Sequence, residues 1–394
     1  MIERIDYLEK LEKLQDKQII KVITGVRRCG KSTLLGQFRD RLLTQGVAEE
    51  QIISINFEDL QYEDLLDYKA LYSYITKLII PDKRMYIFLD EIQLVTDFEK
   101  VADSLFIKPN VDLYITGSNA LILSGSLATL LSGRYIEISI LPLSFAEYNQ
   151  VGNSGSRQKF GQFLSTGGLP YTIYIDDEQI LNEYLEGIFN SVVLKDVIIR
   201  NNIHDVVLLG KVIKFMVENI GNIISPKKIA DSLVSAGTKT TSATIEHYLK
   251  ALTDSFIFYK ADRFDIKGKE HFKTLCKYYI VDLGLRRCVL GKKDADFGRM
   301  LENVVYLELI RRGNKVSIGK MQDSEIDFVA INYNTQSYYQ VSETTISPET
   351  LQRELKPLQK INDHYSKILL TMDESEFDYN GIEKLNIIDW LLNK

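Results

Sequence analysis

Residues 19–32 run Ile-Ile-Lys-Val-Ile-Thr-Gly-Val-Arg-Arg-Cys-Gly-Lys-Ser, and the rest of the chain is best understood outward from them. Ile19–Thr24 is nearly continuous apolar sequence of strand length, as expected of a strand buried on both faces. Residues 25–32 then match Gly-x4-Gly-Lys-Ser/Thr, and Thr33–Leu43 continues with helical spacing. Glycine lets such a loop wrap so that backbone N–H groups face an anion. The start of the helix adds about half a positive charge at the same point. The expected phosphate-holding set is Gly25, Val26, Arg27, Arg28, Cys29, Gly30, Lys31, Ser32 and Thr33, and the expected ligand is ATP. Lys31 is expected to reach the β- and γ-phosphates and the Ser32 hydroxyl to ligate Mg²⁺. Chance produces such a match in about one chain in a hundred of this composition, before the flanking strand and helix are demanded. Cys29 lies beside Lys31 among inward N–H groups, an environment that favours a thiolate; a tolerated loop residue is the plainer alternative.

Further apolar runs of strand length lie at Ile52–Phe57, Met85–Leu89, Val111–Thr116 and Tyr135–Leu141, separated by helix-length segments. That alternation predicts an α/β fold with a doubly wound parallel sheet over about the first 150 residues. The run at Met85 ends in Asp90-Glu91, and carboxylates at the carboxyl end of a parallel strand sit on the ligand-binding rim. Asp90 is placed to hold Mg²⁺, and Glu91 to polarise the attacking water. The run at Val111 ends in Ile-Thr-Gly-Ser-Asn119, where Asn119 or Ser118 would sense the γ-phosphate or the water. Leu131-Ser-Gly-Arg134 precedes the fifth run. Its arginine would steady transition-state charge, in its own subunit or across an interface, or else make a surface ion pair. The expected catalytic set is therefore Lys31, Glu91, Arg134 and Asn119, with Ser32 and Asp90 on the metal.

These segments, GVRRCGKSTLL, FLDEIQ, ITGSNA, LSGR, LPLSFAEY and GGLP, together resemble the bacterial and archaeal AAA-type ATPases whose C-terminal region carries a restriction-endonuclease-like domain. The resemblance spans nearly the whole chain, and its ATPase motifs are more specific than its C-terminal ones. It implies a P-loop NTPase sheet of the additional-strand type, with Glu91 as catalytic acid and Arg134 as a functional residue.

Gly152-Asn-Ser-Gly-Ser156 is a polar breaker, which sets the expected P-loop ATPase domain at 1–152. A helical subdomain is expected over 153–204. Over 205–270 come three short helical patterns, with Ser225-Pro226 as a start signal, then Phe256–Tyr259 in alternation. Helices followed by a small hairpin predict a winged-helix-like domain. From Asp205 to Lys277 there are 12 Lys plus Arg against 8 Asp plus Glu, a local excess of four positive charges. Lys227, Lys228, Lys239, Arg263, Lys267 and Lys269 are candidates to neutralise DNA phosphates; a solvated basic face is the commoner meaning of such a cluster. Residues 271–394 are expected to form a small α/β domain. Glu302 on a helix, Asp327 on a strand and Gln340 on the next resemble the Asp…Glu-x-Lys nuclease core. The departures matter: Gln340 stands at the second acid and Ser342 at the lysine, and an uncharged amide is a poor Mg²⁺ anchor.

Composition sets the outer limits. The 394 residues carry 48 Lys plus Arg against 54 Asp plus Glu, net -6, so no global positive field attracts nucleic acid. Three cysteines without a Cys-x-x-Cys pair exclude a disulfide scaffold and a thiolate zinc site. The charged N-terminal segment and the lack of any run of 18 apolar residues predict no membrane contact and a cytoplasmic location. The expected protein binds ATP, hydrolyses it with Mg²⁺, and couples nucleotide state to DNA or a protein partner through its C-terminal half. It is expected to form a homo-oligomer if Arg134 acts across an interface. The alternatives are an ATP-gated nuclease and a non-hydrolysing nucleotide switch or scaffold.

Overall fold

The computed structural model describes residues 2–120, 131–268, 270–291, 297–321, 324–333, 335–375 and 377–393. They divide into two compact units. The first holds the chain up to Pro142 together with Asp254–Phe256, and the second holds Leu143–Thr253 and Ile257–Lys394.

The first unit is built on five parallel strands in the order β2-β3-β4-β1-β5. They are β1 (Ile20–Thr24), β2 (Ile52–Asn56), β3 (Met85–Asp90), β4 (Val111–Gly117) and β5 (Tyr135–Ser139). The sequence runs match these strands to within two residues. Strand β4 lies between β1 and β3, the arrangement that the additional-strand resemblance implies. Strands β1, β3 and β4 are buried along their whole length, which is why they read as apolar runs rather than as alternation. Val22, Ile87, Leu89 and Ile115 pack with Leu71 from α3 (Tyr68–Leu78) and Leu105 from α4 (Phe98–Phe106). Burying each such side chain contributes about 1.5–3 kcal/mol. Helix α1 (Ile5–Leu14) precedes β1, and α2 (Lys31–Thr44) follows it.

The second unit begins with helices. Ser144 and Glu147 cap α5 (Phe145–Asn149) reciprocally, each side chain accepting the other's backbone N–H. Then come α6 (Ser156–Thr166), α7 (Glu178–Ser191), α8 (Val206–Glu218), α9 (Pro226–Ser235) and α10 (Ser242–Asp254). Ser225 caps α9 as its sequence predicts, accepting the Lys228 N–H at 3.2 Å, with Pro226 in the first turn. An eight-stranded mixed sheet follows, ordered β12-β13-β11-β10-β9-β8-β6-β7. In it β6 (Phe258–Asp265) pairs with β7 (Glu270–Ile280) on one side and with β8 (Lys315–Met321) on the other. The hairpin assigned by sequence to 205–270 and the strands assigned to 271–394 are thus one sheet. Helix α11 (Leu283–Leu290) and helix α12 (Phe297–Arg311) come before β8. β9 (Ser324–Asn332), β10 (Thr335–Val341), α13 (Pro348–Gln359), β11 (Ser366–Thr371), β12 (Phe377–Asp378), β13 (Ile382–Asn386) and α14 (Ile387–Leu392) complete the unit. Among the described residues, no helix is long and apolar enough to cross a membrane.

Candidate functional site

The loop between β1 and α2 is fixed by its glycines. Gly25 has φ +150°, and a Cβ there would lie 2.3 Å from the Ile140 carbonyl oxygen. Gly30, at φ +103°, caps α2 in a conformation that disfavours other residues. Lys31 is buried, and its ammonium turns back over the loop, donating to the carbonyls of Gly25 at 3.0 Å and Val26 at 3.3 Å. It also lies 3.3 Å from Glu91 Oε1. Arg27 pairs with Glu58 at 2.8 Å, whereas Arg28 is exposed, with φ +66°. Cys29 is fully buried, and burial pushes its thiol up, with Lys31 and Arg4 only partly opposing. That desolvation opposes a thiolate and agrees with the plainer sequence reading of Cys29 as a tolerated loop residue.

At the end of β3, Asp90 and Glu91 are both buried beside the loop. Ser32 hydrogen-bonds the Asp90 carboxylate. Thr116, fully buried on β4, donates its hydroxyl hydrogen to Asp90 Oδ1 and accepts the Glu91 N–H at 2.8 Å. Burial raises Asp90 above its ordinary range, and the hydrogen bonds from Ser32 and Thr116 partly offset this. Burial also pushes Glu91 upward, but Lys31, Gln93 and Arg27 outweigh it and hold the carboxyl below its usual range. Glu91 adopts φ +55°, a costly backbone conformation for a side-chain-bearing residue, and Gln93 hydrogen-bonds its carboxylate. A hydroxyl and a carboxylate sharing one point are hard oxygen donors that fit Mg²⁺.

Asn119 and Ser118 are buried directly after β4. Arg134 is placed differently. Its carbonyl accepts the Ile20 N–H, so it lies where β1 and β5 begin, while the phosphate loop follows their other end. Four residues of strand separate the two ends, about 13 Å. The Arg134 guanidinium pairs with Asp103 and lies 5.4 Å from the Phe106 ring centroid. Within the chain it is not brought to the loop.

In the second unit, Glu302 and Asp327 do come together, and Lys277 lies between them. Its buried ammonium is 2.8 Å from Glu325, 3.4 Å from Glu302 and 3.8 Å from Asp327. The Tyr279 hydroxyl also donates to Glu302, at 3.3 Å. Gln340 turns its amide to Glu354 at 3.0 Å and accepts the Asp327 N–H. Burial pushes the Asp327 carboxyl well above its ordinary range, with Glu302 adding to the rise and Lys277 opposing it. Among the described residues, no group of three or more His, Cys, Asp or Glu is arranged to hold a metal. Lys227, Lys228, Lys239 and Lys267 are exposed and Arg263 is half-buried, whereas Lys269 lies outside the described residues.

A fold and loop of this kind define a P-loop protein, and comparison with known proteins agrees. The family model described as an AAA domain matches residues 17–149, and a domain of unknown function matches residues 157–296. An uncharacterised protein of Haemophilus influenzae is 42% identical over 100% of this chain and 99% of its own length. An uncharacterised protein of Methanocaldococcus jannaschii is 30% identical over 94% of this chain and 85% of its own. The chain belongs to the family that these proteins form, with an AAA domain in its N-terminal part. Among solved structures, the Walker-type ATPase PABY2304 of Pyrococcus abyssi shares the fold with a TM-score of 0.52. It is 16% identical and covers 73% of this chain and 96% of its own.

Proposed function

We propose that this protein is a Mg²⁺-dependent ATPase that couples its nucleotide state to DNA or a protein partner through its second unit. The observation that carries the first part is the convergence of Lys31, Ser32, Asp90 and Glu91 around one loop, tied together by Thr116. Loop N–H groups and Lys31 bind the phosphates. Ser32 and Asp90 would hold Mg²⁺, which when bound supplies charge neutralisation at the phosphates. Glu91, ionised at neutral pH, accepts a hydrogen bond from water and aligns it for attack on the γ-phosphorus; Asn119 orients the same water. In this arrangement Lys31 leaves Glu91 for the phosphates when nucleotide enters, which frees the carboxylate for water. ATP affinity by calorimetry and phosphate release with and without DNA test this reading. An absence of ATP binding would end it.

Arg134 acts, in this proposal, only across an interface between copies, because strand register separates it from the loop of its own chain. Mixing Lys31→Ala with Arg134→Ala tests it: regained hydrolysis supports an oligomeric site, and no gain argues for the ion pair alone.

The order α8, α9, α10, β6, β7, with Ile224 bridging Cys276, supports the winged-helix-like reading of the middle segment. Exposed Lys227, Lys228, Lys239 and Lys267 support DNA contact there. The order α12-β8-β9-β10-α13-β11, with β9 antiparallel and β11 parallel to β10, supports a restriction-endonuclease-like core. Cleavage is the weaker reading, because the Lys277 ammonium takes the place between Glu302, Glu325 and Asp327 that a metal would need. The second unit is accordingly read as a binding and coupling element.

A further inference from the structure

Arg4 precedes the first helix, lies before the part of the chain matched by the AAA model, and has no counterpart in the motifs described above. It is nonetheless 4% exposed. Its guanidinium donates from Nη1 to the Cys29 carbonyl at 3.2 Å and from Nη2 to the Leu141 carbonyl at 2.9 Å. Cys29 stands in the middle of the phosphate loop, and Leu141 lies two residues beyond β5. The same segment holds Leu141 a second time, since the Tyr7 hydroxyl accepts the Leu141 N–H at 3.2 Å. Arg4 itself lies 4.8 Å from the centroid of the Tyr7 ring.

The direction of one peptide gives this contact its consequence. Among the described residues no peptide is cis, so the Cys29–Gly30 unit is planar with its C=O and N–H opposed. A guanidinium that fixes the Cys29 carbonyl therefore points the Gly30 N–H away from Arg4. Gly30 is also the residue at which φ is +103°, so without such a hold this peptide has the conformational freedom to rotate. A phosphate loop binds through N–H groups held in advance toward one point, since ordering them at the moment of binding would cost affinity. A planar fork with two donors suits this task, because one prong holds the loop and the other anchors it to the end of β5.

We infer that Arg4 is a positioning residue of the nucleotide site, fixing the Cys29–Gly30 peptide so that the Gly30 N–H faces the phosphates. This rests on the ATPase reading. The rest of the N-terminal segment is held independently: Arg41 pairs with Glu3 at 2.6 Å and Glu12 at 2.7 Å, and Gln37 donates to the Ile2 carbonyl at 2.8 Å. Losing Arg4 thus need not release α1.

The test is calorimetric titration of the full chain with ADP and Mg²⁺, for wild type, Arg4→Gln and Arg4→Lys, with melting of each nucleotide-free protein alongside. Arg4→Gln is expected to bind ADP about tenfold more weakly, the scale of one charge-assisted hydrogen bond. Arg4→Lys, with a single point of donation, is expected to regain part of that loss. A residue that only stabilises the fold would lower melting and leave the affinity of the folded protein unchanged. Folded Arg4→Gln with wild-type affinity overturns the inference. If that variant does not fold, wild-type affinity in Arg4→Lys overturns it, and weakened affinity supports it. A wild-type chain that binds no ADP would instead remove the ATPase reading.

Discussion

Lys31 Nζ lies 3.3 Å from Glu91 Oε1, so the cation expected to hold phosphate and the acid expected to hold water face each other across the loop. The pair is almost wholly buried, and against the effect of that burial Lys31 is the main group holding the Glu91 carboxyl below its usual range. Removing Lys31 strips the loop of its cation and leaves Glu91 with less compensation. Lys31→Ala is expected to abolish ATP binding in calorimetry. Unchanged affinity in a folded Lys31→Ala protein would sink the phosphate-loop assignment.

Thr116 bridges the two acids, giving one hydrogen bond to Asp90 and taking one from the Glu91 N–H. Thr116→Val keeps the shape and removes both. A buried group left without its partner costs about 1–3 kcal/mol, so the variant should melt lower. Its phosphate release at saturating ATP should fall about tenfold or more, since Glu91, the proposed catalytic acid, loses its backbone anchor. Wild-type turnover in this variant would show that Thr116 serves packing alone.

Asp282 gives a pH prediction for the second unit. It is buried and accepts N–H groups of Gly168 at 2.6 Å, Gly284 at 2.8 Å and Leu285 at 3.3 Å. Burial pushes its carboxyl up to about 6, and these donors only partly restrain it. The folded value exceeds the unfolded one, so the folded state binds the proton more tightly. This group's stabilising contribution is present below the ordinary carboxylate range and is lost as pH rises through about 6. Wild type should therefore gain stability over Asp282→Asn on going from pH 7.5 to pH 5, by about 1 kcal/mol. Melting at both pH values checks this, and a pH-independent difference contradicts it.

Lys277 yields a fourth prediction. If its ammonium fills the centre between Glu302, Glu325 and Asp327, purified protein with Mg²⁺ or Mn²⁺ should leave single- and double-stranded DNA intact. Gel assays showing cleavage that disappears in Asp327→Asn would restore the nuclease reading.

The sequence exposes those parts of this molecule whose pattern is local. β1, β3 and β4 are buried and largely apolar, and β2 and β5 are short Ile-rich runs, so the five strands are legible, and so is a loop whose glycines and lysine lie within eight residues. Partners set by register across strands are not. Thr116 is one threonine in an apolar strand until pairing of β3 with β4 brings it to Asp90. Lys277 stands 50 positions before Asp327, and only the folded chain brings its side chain from the edge strand β7 to Glu302 on α12 and to Glu325 and Asp327 on β9. Arg134 shows the converse: its motif is readable, but its distance from the loop follows from the pairing of β1 with β5. Gln340 and Ser342 argue against cleavage in the sequence, and the ion pairs of Lys277 with Glu302, Glu325 and Asp327 argue the same way.

Single-turnover phosphate release in Glu91→Gln, compared with wild type under matched ATP saturation, tests the central claim most directly. Glu91→Gln keeps the side-chain shape and loses the charge that aligns water, so ATP should bind while hydrolysis falls by about a hundredfold or more. Hydrolysis at the wild-type rate in that variant, or none in wild type, would contradict the account.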